Sequence, residues 1–160
     1  MFIIADTWMD TSENDWVLTG VNERLRELYG DGTIMTSEDW SEIRRRRDSE
    51  LLLIYTYPDA DAVLGVAQAT YSFRAPYPKV YVNSVVVSES FRGHSAGSTL
   101  MRQLHAECMQ RWPRTQIFQL TSSPTRGTRS FYERLGYAAR ATNESGGTIA
   151  YEKRLSAAHP

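Results

Sequence analysis

Residues 80 to 101, VYVNSVVVSESFRGHSAGSTLM, constrain this chain more than any other stretch. An apolar run of strand character enters a turn of small residues and leaves it directly as an amphipathic helix. The start of a helix leaves about four backbone N–H groups without intrahelical partners and carries roughly half a positive charge. Such a terminus suits an anion, provided the side chains around it stay small enough for a phosphate to reach the backbone. Gly93, Ser95, Ala96, Gly97 and Ser98 meet that condition, and Arg92 adds a fixed charge at the mouth. His94 lies inside the same turn, where it can touch a phosphate.

The rest of the chain reads as one domain over residues 1 to 155 with a frayed tail at 156 to 160. At 160 residues it is long enough to bury a core without staples. A net charge of −1 gives no overall field that would favour nucleic acid or an anionic membrane. Cys108 is the only cysteine, so an internal disulfide is excluded and a reducing compartment is expected. The three histidines form no HExxH motif, CxxC is absent, and no metal site is expected. The opening MFIIADTW lacks a basic leader region, and no apolar run reaches membrane length, which together predict a cytoplasmic protein without a membrane partner.

Periodicity predicts the order βααβββαβαββ. Residues 2 to 7 read as a strand, and Asp10, Thr11 and Ser12 offer caps for a helix with Trp16, Val17, Val21, Leu25 and Leu28 on one side. Thr36 to Asp39 read as a capping box for a second helix that ends in Arg44 to Arg47. Strands follow at 51 to 57, 63 to 73 and 80 to 87, joined by turn-rich segments. The helix after the small-residue turn carries Leu100, Leu104, Cys108 and Trp112 on one stripe and stops at Pro113. A strand at 115 to 121, a short helix ending at Leu135 with Gly136 as its cap, and two strands at 137 to 142 and 148 to 155 complete the chain.

The strand, turn and helix, taken with TSSPTRGTRSFYERLGY at 121 to 137, resemble the GNAT superfamily of acetyl-CoA-dependent N-acetyltransferases. The resemblance extends over about residues 50 to 155, and it implies an α+β fold: a central, mostly antiparallel twisted sheet of six to seven strands flanked by about four helices. In that family an Arg/Gln-x-x-Gly-x-Gly/Ala turn holds the CoA diphosphate, and Arg92, Gly93, His94, Ser95, Ala96 and Gly97 stand at its positions, followed by Ser98. Ser95 replaces a glycine. If the position needs a positive φ, the serine is strained by about 1 kcal/mol or more; if not, its hydroxyl can bond a phosphate. The family's Asn-x-x-Ala-x-x-Phe-Tyr element is matched by Thr125, Thr128, Phe131 and Tyr132, with both leading residues changed.

The resemblance also implies roles. The backbone of Val85, Val86 and Val87 would receive the pantetheine arm and polarise the thioester carbonyl. Tyr132 would be the general acid: the leaving thiolate, near the cysteine reference pKa of about 8.5, takes a proton from a phenol near 10. The plain alternative is that Tyr132 only packs its helix on the sheet. Many relatives carry a glutamate base where this chain has Asn83, and an amide takes no proton at neutral pH. Deprotonation would then run through water positioned by Asn83 or Ser84, or the acceptor amine would have a low pKa already.

The acceptor, a small-molecule or peptide primary amine, is expected against the first two helices and the segment 74 to 79. Trp16, Glu23, Trp40, Tyr55, Tyr71 and Tyr77 either shape that pocket or are ordinary core and rim. Arg44 to Arg47 either recruit an acidic acceptor or form a solvated helix end. Cys108 reads as core. A homodimer is compatible with such relatives. The competing class is a binding module that keeps the fold and CoA but has lost turnover, which Asn83, Ser95 and Thr125 would favour; nucleic-acid binding through the arginine run is a third class.

Overall fold

The computed structural model describes residues 1–5, 15–32, 34–57, 61–74, 76–124, 127–142 and 147–155. The elements run β1 (Phe2–Ile4), α1 (Asp15–Tyr29), α2 (Ser37–Arg45), β2 (Glu50–Tyr57), β3 (Ala62–Ser72) and β4 (Lys79–Val87). A single 3-10 turn (Glu89–Phe91) leads into α3 (Ala96–Arg111), followed by β5 (Ile117–Ser122), α4 (Arg129–Arg134), β6 (Ala138–Thr142) and β7 (Ile149–Arg154). The order is the one that periodicity predicts. The first strand ends sooner than residue 7, and the caps expected at Asp10 to Ser12 lie outside the described residues, as do Thr125 and the tail.

All seven strands form one sheet in the order β1-β2-β3-β4-β5-β7-β6. Every neighbouring pair is antiparallel except β4 and β5. Helices cover both faces because the strand interiors are apolar on both sides, and each face closes its own core. Under α3 lie Leu100, Met101, Leu104 and Cys108 with Leu51, Leu53, Val80, Val82 and Phe118. Under α1 and α2 lie Val17, Val21, Trp40 and Ile43 with Leu52, Ile54, Val66 and Val86. The capping box of α2 forms as its residue types predict: the Asp39 N–H donates to Thr36 Oγ1 at 3.2 Å, and the Thr36 N–H donates to Asp39 Oδ2 at 2.8 Å. Arg45 and Arg46 at its end pair with Glu42, and Arg46 also with Glu50, which makes this a solvated, charge-balanced helix terminus.

Two irregularities in β4 position everything that follows. Gln68 of β3 pairs with Ser84 while Ala69 pairs with Val82, so Asn83 is the extra residue of a bulge. The bulge reverses the phase of the strand. Val80 and Val82 before it face the α3 core, whereas Val86 after it faces the α1 core and Val85 and Val87 pack on the α3 side. Next, the parallel ladder between β4 and β5 has only three pairs, Lys79–Ile117, Val80–Phe118 and Tyr81–Gln119. Beyond them β5 stays with β7 and β4 stays with β3, so the sheet forks and, among the described residues, one backbone edge of residues 82–87 is left without a strand partner.

Candidate active site

The fork and the start of α3 lie side by side. One cavity of about 560 Å³ opens against the free edge of β4 and is lined by Glu27, Leu28, Val85, Val86, Val87, Arg92 and Thr128. A second, of about 410 Å³, is lined by Val87, Arg92, Gly93, Ser95, Ala96, Gly97, Ser98, Phe131 and Arg134. Val87 and Arg92 belong to both walls. The first main-chain bond of α3 runs from the Thr99 N–H to the Ser95 carbonyl at 2.9 Å, so the amides of Ala96, Gly97 and Ser98 have no intrahelical acceptor. They are available to an anion in the second cavity.

Backbone geometry explains the small residues. Gly93 sits at φ +84° with nothing near the place a Cβ would occupy. Ser95 is at φ 62° and ψ 3°, the sole non-glycine with positive φ among the described residues. The position does need the left-handed conformation, so the strained alternative holds, and the Ser95 side chain makes no capping bond. At Gly97 the place of a Cβ is 3.4 Å from the Phe131 ring, which keeps α4 close against α3 at the cavity wall.

Arg92 bridges the two cavities. Its Nε donates to the Val87 carbonyl at 3.3 Å, and its Nη2 lies 3.6 Å from Glu27 Oε2. The other Glu27 oxygen is held by Arg24 Nη1 at 2.7 Å. His94 is the turn residue that does not line the second cavity: its Nδ1 lies 3.2 Å from the Arg92 carbonyl. Tyr132 is 9% exposed, with ring centroids at 5.1 Å from Phe131, 5.2 Å from Tyr151 and 6.0 Å from Tyr137. It lines neither cavity itself, whereas Thr128 and Phe131, four residues and one residue before it, line one each. Below them the Thr128 hydroxyl is 2.7 Å from that of Ser122 at the end of β5.

On the other face, the end of α1 is fastened to β4 by a 2.6 Å hydrogen bond between Tyr29 Oη and Ser84 Oγ. Tyr29 also lines a groove of about 340 Å³ under α1 and α2, together with Ile34, Met35, Asp39, Glu42, Glu50 and Gln68. The aromatic residues proposed for an acceptor pocket do not gather into one. Trp40 is core, Tyr55 stacks on Phe2 and Tyr71 on Trp112, while Trp16 and Glu23 line a separate cleft with Asp61.

Two largely buried groups of α3 are perturbed. Burial pushes the Cys108 thiol up to about 12, so it stays protonated and unreactive, as a core residue should. Burial, helped by the positive charge of Lys153, brings His105 down to about 4, and its Nε2 lies 2.8 Å from Tyr137 Oη. Among the described residues no cluster of His, Cys, Asp or Glu could hold a metal ion, and no helix is long and apolar enough to cross a membrane.

Sequence reasoning missed Glu27, Thr128 as a wall residue, and Arg134. Arg134 follows Phe131 by one helical step of three, which is a readable signal. Glu27 has none, because its partner Arg92 belongs to a distant element.

The residues present fit a CoA-type diphosphate: unpaired amides at a helix start, a left-handed turn, and two arginines on the walls. The acetyltransferase (GNAT) family model matches residues 17–137. Comparison with curated protein sequences finds no match. Among solved structures, the chain is similar to glucosamine-6-phosphate N-acetyltransferase from Arabidopsis thaliana, with a TM-score of 0.71 at 20% identity over 91% of this chain and 97% of that one. It is also similar to a GNAT-family acetyltransferase from Streptococcus pneumoniae, with a TM-score of 0.72 at 15% identity over 98% and 100%. ElaA of Escherichia coli gives 0.65 at 17% identity over 96% and 99%. With the family model spanning most of its length and the same fold in these neighbours, the chain belongs to the GNAT family and is an N-acetyltransferase.

Proposed function

We propose that the chain is a single catalytic domain over residues 1 to 155 that moves an acetyl group from acetyl-CoA to a primary amine, by direct attack with both substrates bound. The observation that carries this reading is the meeting of two features at Val87 and Arg92: a helix start with unpaired amides, and a β4 edge released by the fork.

Acetyl-CoA supplies the activated acetyl thioester. The amides of Ala96, Gly97 and Ser98 hold the diphosphate, and Arg92 and Arg134 neutralise it. The free edge of residues 85 to 87 offers the pantetheine arm main-chain partners and gives the thioester oxygen a fixed N–H donor, which stabilises developing negative charge without reorganisation. Thr125 belongs to the same cofactor set. Tyr132, on the helix that closes the cavity, gives its phenolic proton to the departing sulfur. Asn83, exposed at the bulge, orients the water through which the acceptor loses its proton, since the Ser84 hydroxyl is taken up by Tyr29. The buried, unpaired Cys108 thiol accords with a cytoplasmic setting.

A screen of amine acceptors by free-thiol release, paired with calorimetric titration of CoA, tests the reading. Saturable CoA binding and amine-dependent thiol release are expected. Binding without release for any amine class would instead make the chain a CoA-responsive module.

A further inference from the structure

Among the described residues Arg92 is the one charged side chain that lines both cavities, and its guanidinium is turned to the β4 side. Its guanidinium rests on the Val87 carbonyl and on Glu27, from which it is 3.6 Å away. That ion pair is long and its arginine is 57% exposed, so it is weakly held. A diphosphate on the other side offers more negative charge and several acceptor oxygens to the same planar donor. Competition between the two therefore favours the diphosphate.

Glu27 would not follow Arg92. Its second oxygen is fixed by Arg24 at 2.7 Å, and two residues on, Tyr29 anchors the helix end to Ser84. Once Arg92 swings away, Glu27 Oε2 faces the cavity along residues 85 to 87 with no cation on it. A carboxylate held beside the free β4 edge is a receptor for an ammonium group.

Resting on the reading of the site as a CoA and amine site, we propose that Glu27 binds the acceptor's ammonium and is masked by Arg92 until the cofactor's diphosphate claims that arginine. The acceptor is then taken as a cation, and the two substrates bind cooperatively, with the cofactor uncovering the acceptor's anchor. By linkage, a cation on Glu27 must strengthen cofactor binding by the same factor.

The test uses calorimetry of CoA with wild type and Glu27→Gln, with and without 1,4-diaminobutane as the cationic probe. Glu27→Gln keeps the side-chain length and an acceptor oxygen for Arg24. Freeing Arg92 from this ion pair should lower the CoA Kd by about threefold or more. Diaminobutane should lower it by a similar factor in wild type and leave the variant unchanged. A CoA Kd that is equal or higher in Glu27→Gln overturns the masking, and a diamine effect of equal size in both proteins overturns the ammonium site. Absence of CoA binding to wild type would instead be a failure of the functional reading beneath it.

Discussion

Tyr29 reaches Ser84 across the α1–sheet boundary, and the 2.6 Å bond between their hydroxyls fastens the last turn of α1 to the strand one residue past its bulge. Ser84 is 5% exposed, so its hydroxyl depends on this partner. Tyr29→Phe should lower stability by about 1–2 kcal/mol, the net value of one hydrogen bond plus the burial of an unpaired oxygen. Adding Ser84→Ala to that variant should cost little more, since both partners are then gone. A urea double-mutant cycle reads this directly, and full additivity of the two single effects would contradict the coupling.

Ser95 holds a left-handed backbone that a glycine adopts freely. Ser95→Gly should stabilise the protein by about 1 kcal/mol. Denaturant midpoints measure it, and a midpoint at or below that of wild type would mean the serine is not strained. Affinity for CoA should change little, because the amides of residues 96 to 98 stay where they are.

Tyr132 separates packing from proton donation. Its ring is enclosed by Phe131, Tyr137 and Tyr151, all of which Phe would still meet. Tyr132→Phe should therefore leave the thermal midpoint within a few degrees and CoA affinity within a few fold. It should lower kcat by about 10²-fold or more, the usual worth of a general acid. Unchanged kcat with the best acceptor would return Tyr132 to a purely structural part.

His105 ties stability to acidity. Its ordinary pKa of about 6.5 applies to the unfolded chain, and in the folded protein burial holds it near 4. Between those values the unfolded state binds the proton and the folded state does not, so stability is full above about pH 6.5 and falls as the pH drops toward 4. The loss amounts to at most about 3 kcal/mol and stops growing below pH 4. His105→Gln should flatten the stability profile across this window. A wild-type profile no steeper than that of the variant between pH 6.5 and 4.5 would refute the assignment.

Much of this was legible in the residues themselves. The order of elements follows from periodicity, and the run from Arg92 to Ser98 marks the helix start because only an approach to the backbone requires so many small side chains in a row. The bulge was not legible. Val85, Val86 and Val87 suit either face of a sheet buried on both sides, so their pattern carries no phase. Ser95 left two readings open, since a serine by itself gives no sign of a left-handed backbone and only the family's glycine at that position raised it. The pairing of Glu27 with Arg92 escaped notice for a different reason: Glu27 is an ordinary surface charge until the fold sets α1 against the fork. The scattered aromatics stayed open between pocket and core because size and ring chemistry alone do not say which side of a two-faced sheet a residue takes.

The extra residue at Asn83 makes β4 a strand with a parity. Were Asn83 drawn into a regular ladder instead of standing out of it, Val85 and Val87 would turn inside out and Val86 would pass to the opposite layer, with no change in the kinds of residue present. The layer each of these valines enters thus depends on how Asn83 is seated as much as on the residues themselves, and one valine could be exchanged far more readily than the bulge could be flattened with Asn83 still in place.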